Sequence, residues 1–537
     1  MAEIIANIRL LNVNLHNDYK HTIFFNDRSE QQSYFLGVKT YKDLIDYSYQ
    51  RKDSKLRVNL SFDIALKYNY VMYQNLLHDG KYYYAFITDY EWNNDNCTTL
   101  TLQTDVMQTY LLGYEYDYLP SFVEREHTND DTVGANTIPE NLEVGEYTTA
   151  NPYDVIELSS LRIIVGVTED IGSSSGYGGR YNNIYSGIIY HAFPNTDEGV
   201  AQVNGFLSEY AEDGKSESIQ CVFLAPDFIA TTLGEEESTV GGISTRVQNS
   251  KVVRNMKRSV GSRSTITNLN RSGLDYNLRN NKLRTFPYQY LMLSNNNGGS
   301  AIYKYEEFSS DTIEFSIKGA ITPGCSIFAS PQDYKGVDDN LEEGLPAGKF
   351  PICNWSSDQY TNWITQNALN IGINLASGGL QIVGGAIAVA GTGGAGAVLG
   401  GGSIVGGIST ITNQLAQIHQ MSFTPPQSHG NVNCGDVATS AGRNILSFYY
   451  MRIKKEYAKV IDDYFTAYGY KTNRVKLPEW LHRERWWYTK TIDINLYNYG
   501  TIPTADLNKI KDCFNNGITF WRKASDIGHY EYSNNIV

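Results

Sequence analysis

The spacing of apolar and polar positions changes several times along the chain. Tyr114-Glu115-Tyr116-Asp117-Tyr118 alternates with period two, the pattern of a half-buried strand. The aromatic runs Tyr82–Ile87 and Tyr303–Phe308 also predict strands. Near the C-terminal end the period lengthens. Tyr457, Val460, Ile461, Tyr464, Phe465 and Tyr468 fall on one face of a helix, and Gly469 is placed to end it. A shorter helix is expected from Thr504 as N-cap, with Leu507, Ile510 and Phe514 inside and Gly517 closing it. Ile518–Trp521 follows as a strand. The expected fold class is mainly β (α+β), and no internal repeat is visible.

One segment breaks this pattern. Residues 359–435 contain no Asp, Glu, Lys or Arg, and only His419 and His429 titrate there. Ile382–Gly400 reads IVGGAIAVAGTGGAGAVLG, with Thr392 its sole polar side chain. That length approaches the ~20 residues a helix needs to cross a bilayer. Its seven glycines argue against a permanent anchor, since each costs about 1 kcal/mol inside a helix. The reading is a conditional membrane segment, sheltered in one state and inserted in another. Gly396–Gly400 and Gly402–Gly406 both fit GxxxG, which allows close helix contact in lipid. Flanking repeats at Trp363, Ile364, Asn367, Ala368, Ile371 and Leu375, and at Ile404, Ile408, Ile411, Leu415 and Ile418, predict helical arms. Pro425-Pro426 closes the second arm. The candidate membrane residues are Ile371, Ile373, Leu375, Leu380, Ile382, Val383, Ile387, Val389, Val398, Leu399, Ile404, Val405, Ile408 and Ile411. A hairpin buried in a large core is the competing reading, although such a hairpin normally carries charge on its outer face.

Composition sharpens this picture. The chain has 537 residues, enough for about three or four domains, and it is rich in Tyr (41) and Gly (47). Thirteen of those glycines lie in residues 378–407, so the rest of the chain has an ordinary glycine content. The net charge of −14 excludes a protein built to coat nucleic acid nonspecifically. Six scattered cysteines with no CxxC pair indicate neither a zinc site nor a disulfide framework. Met1–Ile5 lacks a basic start followed by a long apolar run, so no secretory leader is expected. From Arg246 to Arg284 ten Lys and Arg face the single acid Asp275. A solvated face or an acidic neighbour explains that stretch better than a phosphate-binding face.

Two motifs imitate enzyme chemistry. Gly391-Thr-Gly393-Gly-Ala-Gly396 fits GxGxxG, but a dinucleotide site needs an acid about 20 residues later, and the next acid is Asp436. Gly172-Ser-Ser174-Ser-Gly176 fits GxSxG after the strand-like Ile163–Val165, yet no helix pattern follows. Paired acids such as Asp130-Asp131 and Asp462-Asp463 read as surface residues. No catalytic residue, cofactor site or metal site is expected.

The two ends of the chain carry a more specific signal. It includes Asn17-Asp-Tyr-Lys-His-Thr22, Met72-Tyr-Gln-Asn75, Tyr84-Ala-Phe-Ile-Thr88, Asp105-Val-Met-Gln-Thr109 and Ser121-Phe-Val-Glu-Arg-Glu-His127. It resumes in Tyr468–Val475, Phe514–Trp521 and Asp526–Tyr530. In these blocks the chain resembles the tail knob, or distal tail tube, proteins of phi29-like short-tailed bacteriophages. The resemblance is much weaker over residues 151–290. It implies a homo-hexameric tube at the tail tip, with β-barrel walls from the N- and C-terminal regions. It further implies partners: upper tail tube or lower collar proteins, host cytoplasmic membrane lipids, and double-stranded viral DNA passing through the lumen. The long hydrophobic loop would plug the lumen, then leave and form a membrane pore.

The expected division is therefore an N-terminal β-rich tube domain at 1–150 and an inserted outer domain at 151–290. A β-rich return follows at 291–358, then the uncharged loop at 359–435 and a C-terminal α/β tube domain at 436–537. A wall-degrading tail-tip enzyme and a secreted pore-forming toxin are the alternatives. The absent leader and the phage-like blocks argue against the toxin.

Overall fold

The computed structural model describes residues 6–49, 51–75, 81–112, 115–149, 152–156, 160–169, 180–181, 184–185, 188–215, 218–231, 239–240, 243–247, 253–263, 276–321, 325–347, 352–356, 429–433 and 445–537. The fold is mainly β, with several antiparallel sheets and a few helices. The chain forms two compact units. One comprises residues 1–145, 276–283 and 455–537, and the other residues 146–275 and 284–454.

The first unit holds a six-stranded sheet. Its order is Tyr41–Tyr47, Ala6–Leu11, Tyr70–Asn75, Tyr82–Asn94, Cys97–Thr104, Lys55–Val58. Alternation sends successive side chains into two different cores. Val71, Tyr73, Ala85 and Ile87 join Leu44 and Leu56 from the two edge strands, so the sheet curls around this core. Tyr70, Met72, Tyr84 and Phe86 point the other way and pack with Trp487, Phe514 and Phe520. The second core thus joins the two ends of the sequence. Its C-terminal part is a five-stranded sheet in the order His21–Ile23, Ile518–Trp521, Trp486–Asp493, Ser121–Glu126, Tyr470–Lys476. The strand expected at 518–521 is present and fully buried.

Three expectations shift in detail. The helix Lys455–Tyr468 forms and ends at Gly469 with φ 64°. A Cβ on that glycine would lie 2.2 Å from the Glu126 carbonyl oxygen, so the position demands glycine. The buried face, however, is Ala458, Ile461, Asp462, Phe465 and Thr466, while Val460 is 68% exposed. The helix is rotated because its inward side is partly polar. The Asp462 carboxylate accepts from the Tyr276 hydroxyl (2.7 Å), the Arg279 amide (2.8 Å), and the Asn280 amide (3.0 Å) and side-chain Nδ2 (2.7 Å). Asp462 is therefore no surface acid. It holds the segment 276–283 in this unit, and Glu140 assists by accepting from Arg125, Lys282 and the Lys471 amide. The second shift concerns Tyr303–Phe308. The strand Ser300–Tyr303 stops there, and Tyr305–Glu307 turns as a 3-10 helix.

The shorter helix spans Thr504–Asn516, with Pro503 rather than Thr504 at the cap position. Asp105 caps the small helix Val106–Tyr110 and is 1% exposed, accepting from the Met107 and Gln108 amides at 3.1 Å. Its other oxygen accepts from the Tyr70 hydroxyl at 2.8 Å. Burial outweighs these hydrogen bonds and pushes the carboxyl up to about 6. An acid whose folded value lies above its unfolded value (about 3.9) favours the fold at low pH. That contribution fades as pH rises from about 4 through about 6. Asp105→Asn keeps a capping oxygen but no longer titrates. Its stability relative to the parent should rise over that interval by an amount on the order of 2–3 kcal/mol. Thermal unfolding of both proteins at pH 4 and pH 6.5 checks this, and a pH-independent difference would refute it.

Candidate functional site

The uncharged segment is rooted in the second unit. A five-stranded antiparallel sheet runs in the order Ile189–Pro194, Leu161–Val167, Ile219–Pro226, Ile352–Ser356, His429–Asn433. The first three strands are almost wholly buried, with near-continuous apolar sequence. The helix Asp197–Glu212 covers them, burying Val200, Val203, Phe206, Leu207 and Tyr210. Its N-terminus is capped by Thr196, whose hydroxyl accepts from the Gly199 amide at 3.1 Å.

Against this rigid layer lies Ile352–Ser356, with Cys221, Val222 and Phe223 opposite Asn354, Cys353 and Ile352. Its other edge pairs with His429–Asn433. The register runs from Ile352 opposite Asn433 to Ser356 opposite His429. The chain therefore leaves the sheet after Ser356 and returns to it at His429, at neighbouring-strand spacing of about 5 Å. Between these points lie 72 residues. The stem places residues 429–433 in the sheet, so the last part of the uncharged run belongs to the folded unit. Sequence reading missed this strand because His-Gly-Asn-Val-Asn carries one large aliphatic residue and no clear alternation.

The fourteen candidate membrane residues from Ile371 to Ile411 lie outside the described residues, as do Trp363, the flanking repeats, His419 and Pro425-Pro426. So do Gly172–Gly176 and Gly391–Gly396. His429 sits at the mouth of the stem, on the strand's first position. Of the basic stretch, Lys282 is buried on Glu140 and Arg279 pairs with Asp463, both within the first unit. Among the described residues no helix is long and apolar enough to cross a membrane, and no cluster of His, Cys, Asp and Glu is arranged to hold a metal ion.

The family described as Bacillus phage phi29, tail knob protein gp9, C-terminal domain, matches residues 251–535, more than half of the chain. The chain belongs to this tail knob family. Residues 6–115 also match the caudoviral major tail protein N-terminus. The tail knob protein gp9 of Bacillus phage B103 is 25% identical, with 98% of this chain and 97% of that protein covered. The tail knob protein gp9 of Bacillus phage phi29 is 25% identical, with 99% and 98% covered. The tail knob protein gp12 of bacteriophage C1 shares the fold with a TM-score of 0.65 at 16% identity, over 99% of this chain and 100% of that one. As a tail knob protein the chain is a structural component of the phage tail.

The stem register is open to a direct test. Val432 lies opposite the native Cys353. Opposed antiparallel residues have Cα atoms about 4.5–5.5 Å apart, within the range a disulfide spans. Val432→Cys, made with Cys434→Ser to remove the neighbouring thiol, should form an intramolecular bridge to Cys353 under mild oxidation. Peptide mapping should find that linked pair. Two free, alkylatable thiols at these positions would refute the register.

Proposed function

We propose that residues 357–428 form a stalked hydrophobic loop that closes the lumen of a hexameric tail tube and, on release, enters the host cytoplasmic membrane to form a pore for the genome. The observation that carries this reading is the combination of a 77-residue uncharged run with a stem that clamps its two ends side by side. The neighbours in this reading are five further copies, the upper tail tube or lower collar proteins, membrane lipids and double-stranded DNA.

The physical case starts with charge. A single charge at the centre of a membrane helix costs about 2.5–3.5 kcal/mol on insertion scales, and this segment contains none. Length comes next. Ile371–Ile411 is 41 residues, so a symmetric hairpin gives each arm about 20 residues, or about 30 Å as helix. That equals the hydrocarbon thickness of a bilayer, about 30 Å. Helical arms also satisfy their own backbone groups, as lipid requires. In the assembled tail, apolar tips from several copies would shield one another from water. The glycines let a single sequence pack in both surroundings. The first unit unites residues 1–145 with 455–537 in one body, which supports its role as tube wall.

Deleting residues 371–407 should leave folded, assembling protein and abolish leakage of dye from anionic liposomes. Ile387→Asp should depress leakage steeply with no change in thermal unfolding. Undiminished leakage in both variants would exclude the membrane role, and loss of folding in the deletion would point to a core hairpin instead.

A further inference from the structure

The first unit contains a cavity of about 640 Å³. That volume lies within the range of small-molecule sites. Its lining includes His127, Asp130, Asp131, Asn281, Arg483 and Asn534. The wall is firmly built. The Asn534 side chain accepts from the Arg485 and Trp486 amides (3.0 and 3.2 Å) and donates to the Trp486 carbonyl (2.7 Å). His127 is 3% exposed. Its Nδ1 accepts from the Tyr488 amide at 2.8 Å, so Nε2 carries the proton and donates to the Thr466 carbonyl at 3.1 Å. That histidine is spent on structure.

Arg483 differs from every other group there. It is 8% exposed. Its two terminal nitrogens donate only to backbone carbonyls, those of Asn534 (3.3 Å) and Thr128 (2.9 Å). Its Nε is buried and has no hydrogen-bond partner among the described residues. Nor does any described carboxylate lie within ion-pair distance. Asp131 and Glu479 attract this buried cation from beyond contact distance, and that attraction together with the two carbonyl dipoles offsets the cost of its burial only in part. The two acids that line the cavity also accept from other groups. Asp131 accepts from the Tyr470 hydroxyl and the Asn281 amide, and Asp130 accepts from the Thr132 amide and hydroxyl. Among the described lining residues, the Arg483 Nε donor is thus left without an acceptor at the buried end.

We propose that this cavity binds a small oxyanion, carboxylate or phosphate, with Arg483 as the anchoring cation. A planar guanidinium suits such groups because it presents parallel donors to two oxygens. Asp130, exposed at the rim, weakens that attraction and makes the site selective for anions small enough to avoid it.

The test uses the full-length protein with inorganic phosphate and with citrate as probes, at constant ionic strength set by chloride. Saturable binding by calorimetry, with a rise in Tm that grows with probe concentration, is expected. Arg483→Gln should abolish both signals. Asp130→Asn removes a negative charge from an exposed position and should tighten phosphate binding several-fold. It also keeps the idea testable if the Arg483 variant fails to fold. The proposal is overturned by no saturable binding to either probe, by an unchanged response in a folded Arg483→Gln protein, or by weaker or equal binding in Asp130→Asn.

Discussion

The pairing of Ile352–Ser356 with His429–Asn433 is the constraint on which the placement of the uncharged segment depends. Bringing together the two ends of a 72-residue connection costs on the order of 4 kcal/mol in chain entropy, before any fixed constant. A five-residue edge ladder alone is a weak clamp against that cost. It holds because Ile352–Ser356 is itself the fourth strand of a sheet whose first three strands are packed on both faces. The apolar strands and the helix Asp197–Glu212 therefore do more than fill a core. They supply the rigidity that fixes where the uncharged segment begins and ends.

The first unit solves a related problem with polar groups. Residues 276–283 are far in sequence from both 1–145 and 455–537, yet they belong to the same body. Few large apolar side chains are available in Tyr276–Leu283 to hold them there. Two buried carboxylates take that role instead. Asp462 gathers backbone and side-chain donors from Tyr276, Arg279 and Asn280, and Glu140 receives Lys282. Such contacts are directional, so they specify one placement of a short segment. They also bind the unit to its charge states, since a lone buried carboxylate or ammonium left by a substitution would be strongly destabilising.

These polar anchors mark the limit of what the sequence made legible. Period and composition located the long helix, the strand Ile518–Trp521 and the uncharged run, because each rests on local pattern. The same reasoning found Ile461 and Phe465 on the buried face of the helix but set that face off by part of a turn. Val460 belongs to its most apolar stripe and stays exposed, while Asp462 and Thr466 turn inward. Hydropathy registers the side chain and not its partners, and the partners lie some 180 residues away. The stem strand His429–Asn433 was invisible for a similar reason. Its place in the sheet comes from its neighbour, Ile352–Ser356, and not from its own β propensity. Arg483 carried no signal either, since an arginine among charged residues reads as surface until the fold buries it.

The distribution of charge over the chain now has a physical logic. A folded body in water needs charged residues for solubility and specificity, and every charged residue of this chain lies outside 359–435. On the function proposed above, a segment stable both against other apolar segments and in lipid could not carry them. On the same proposal, the segment would contribute nothing to the folding stability of the body, since its release would otherwise unfold the protein. The stem meets that requirement. It joins the segment to the sheet through five backbone pairs at one edge, which on that proposal would let the two parts change surroundings independently. What the stem would keep coupled in that proposal is position: the base of the segment stays in the sheet, Ile352–Ser356 beside His429–Asn433.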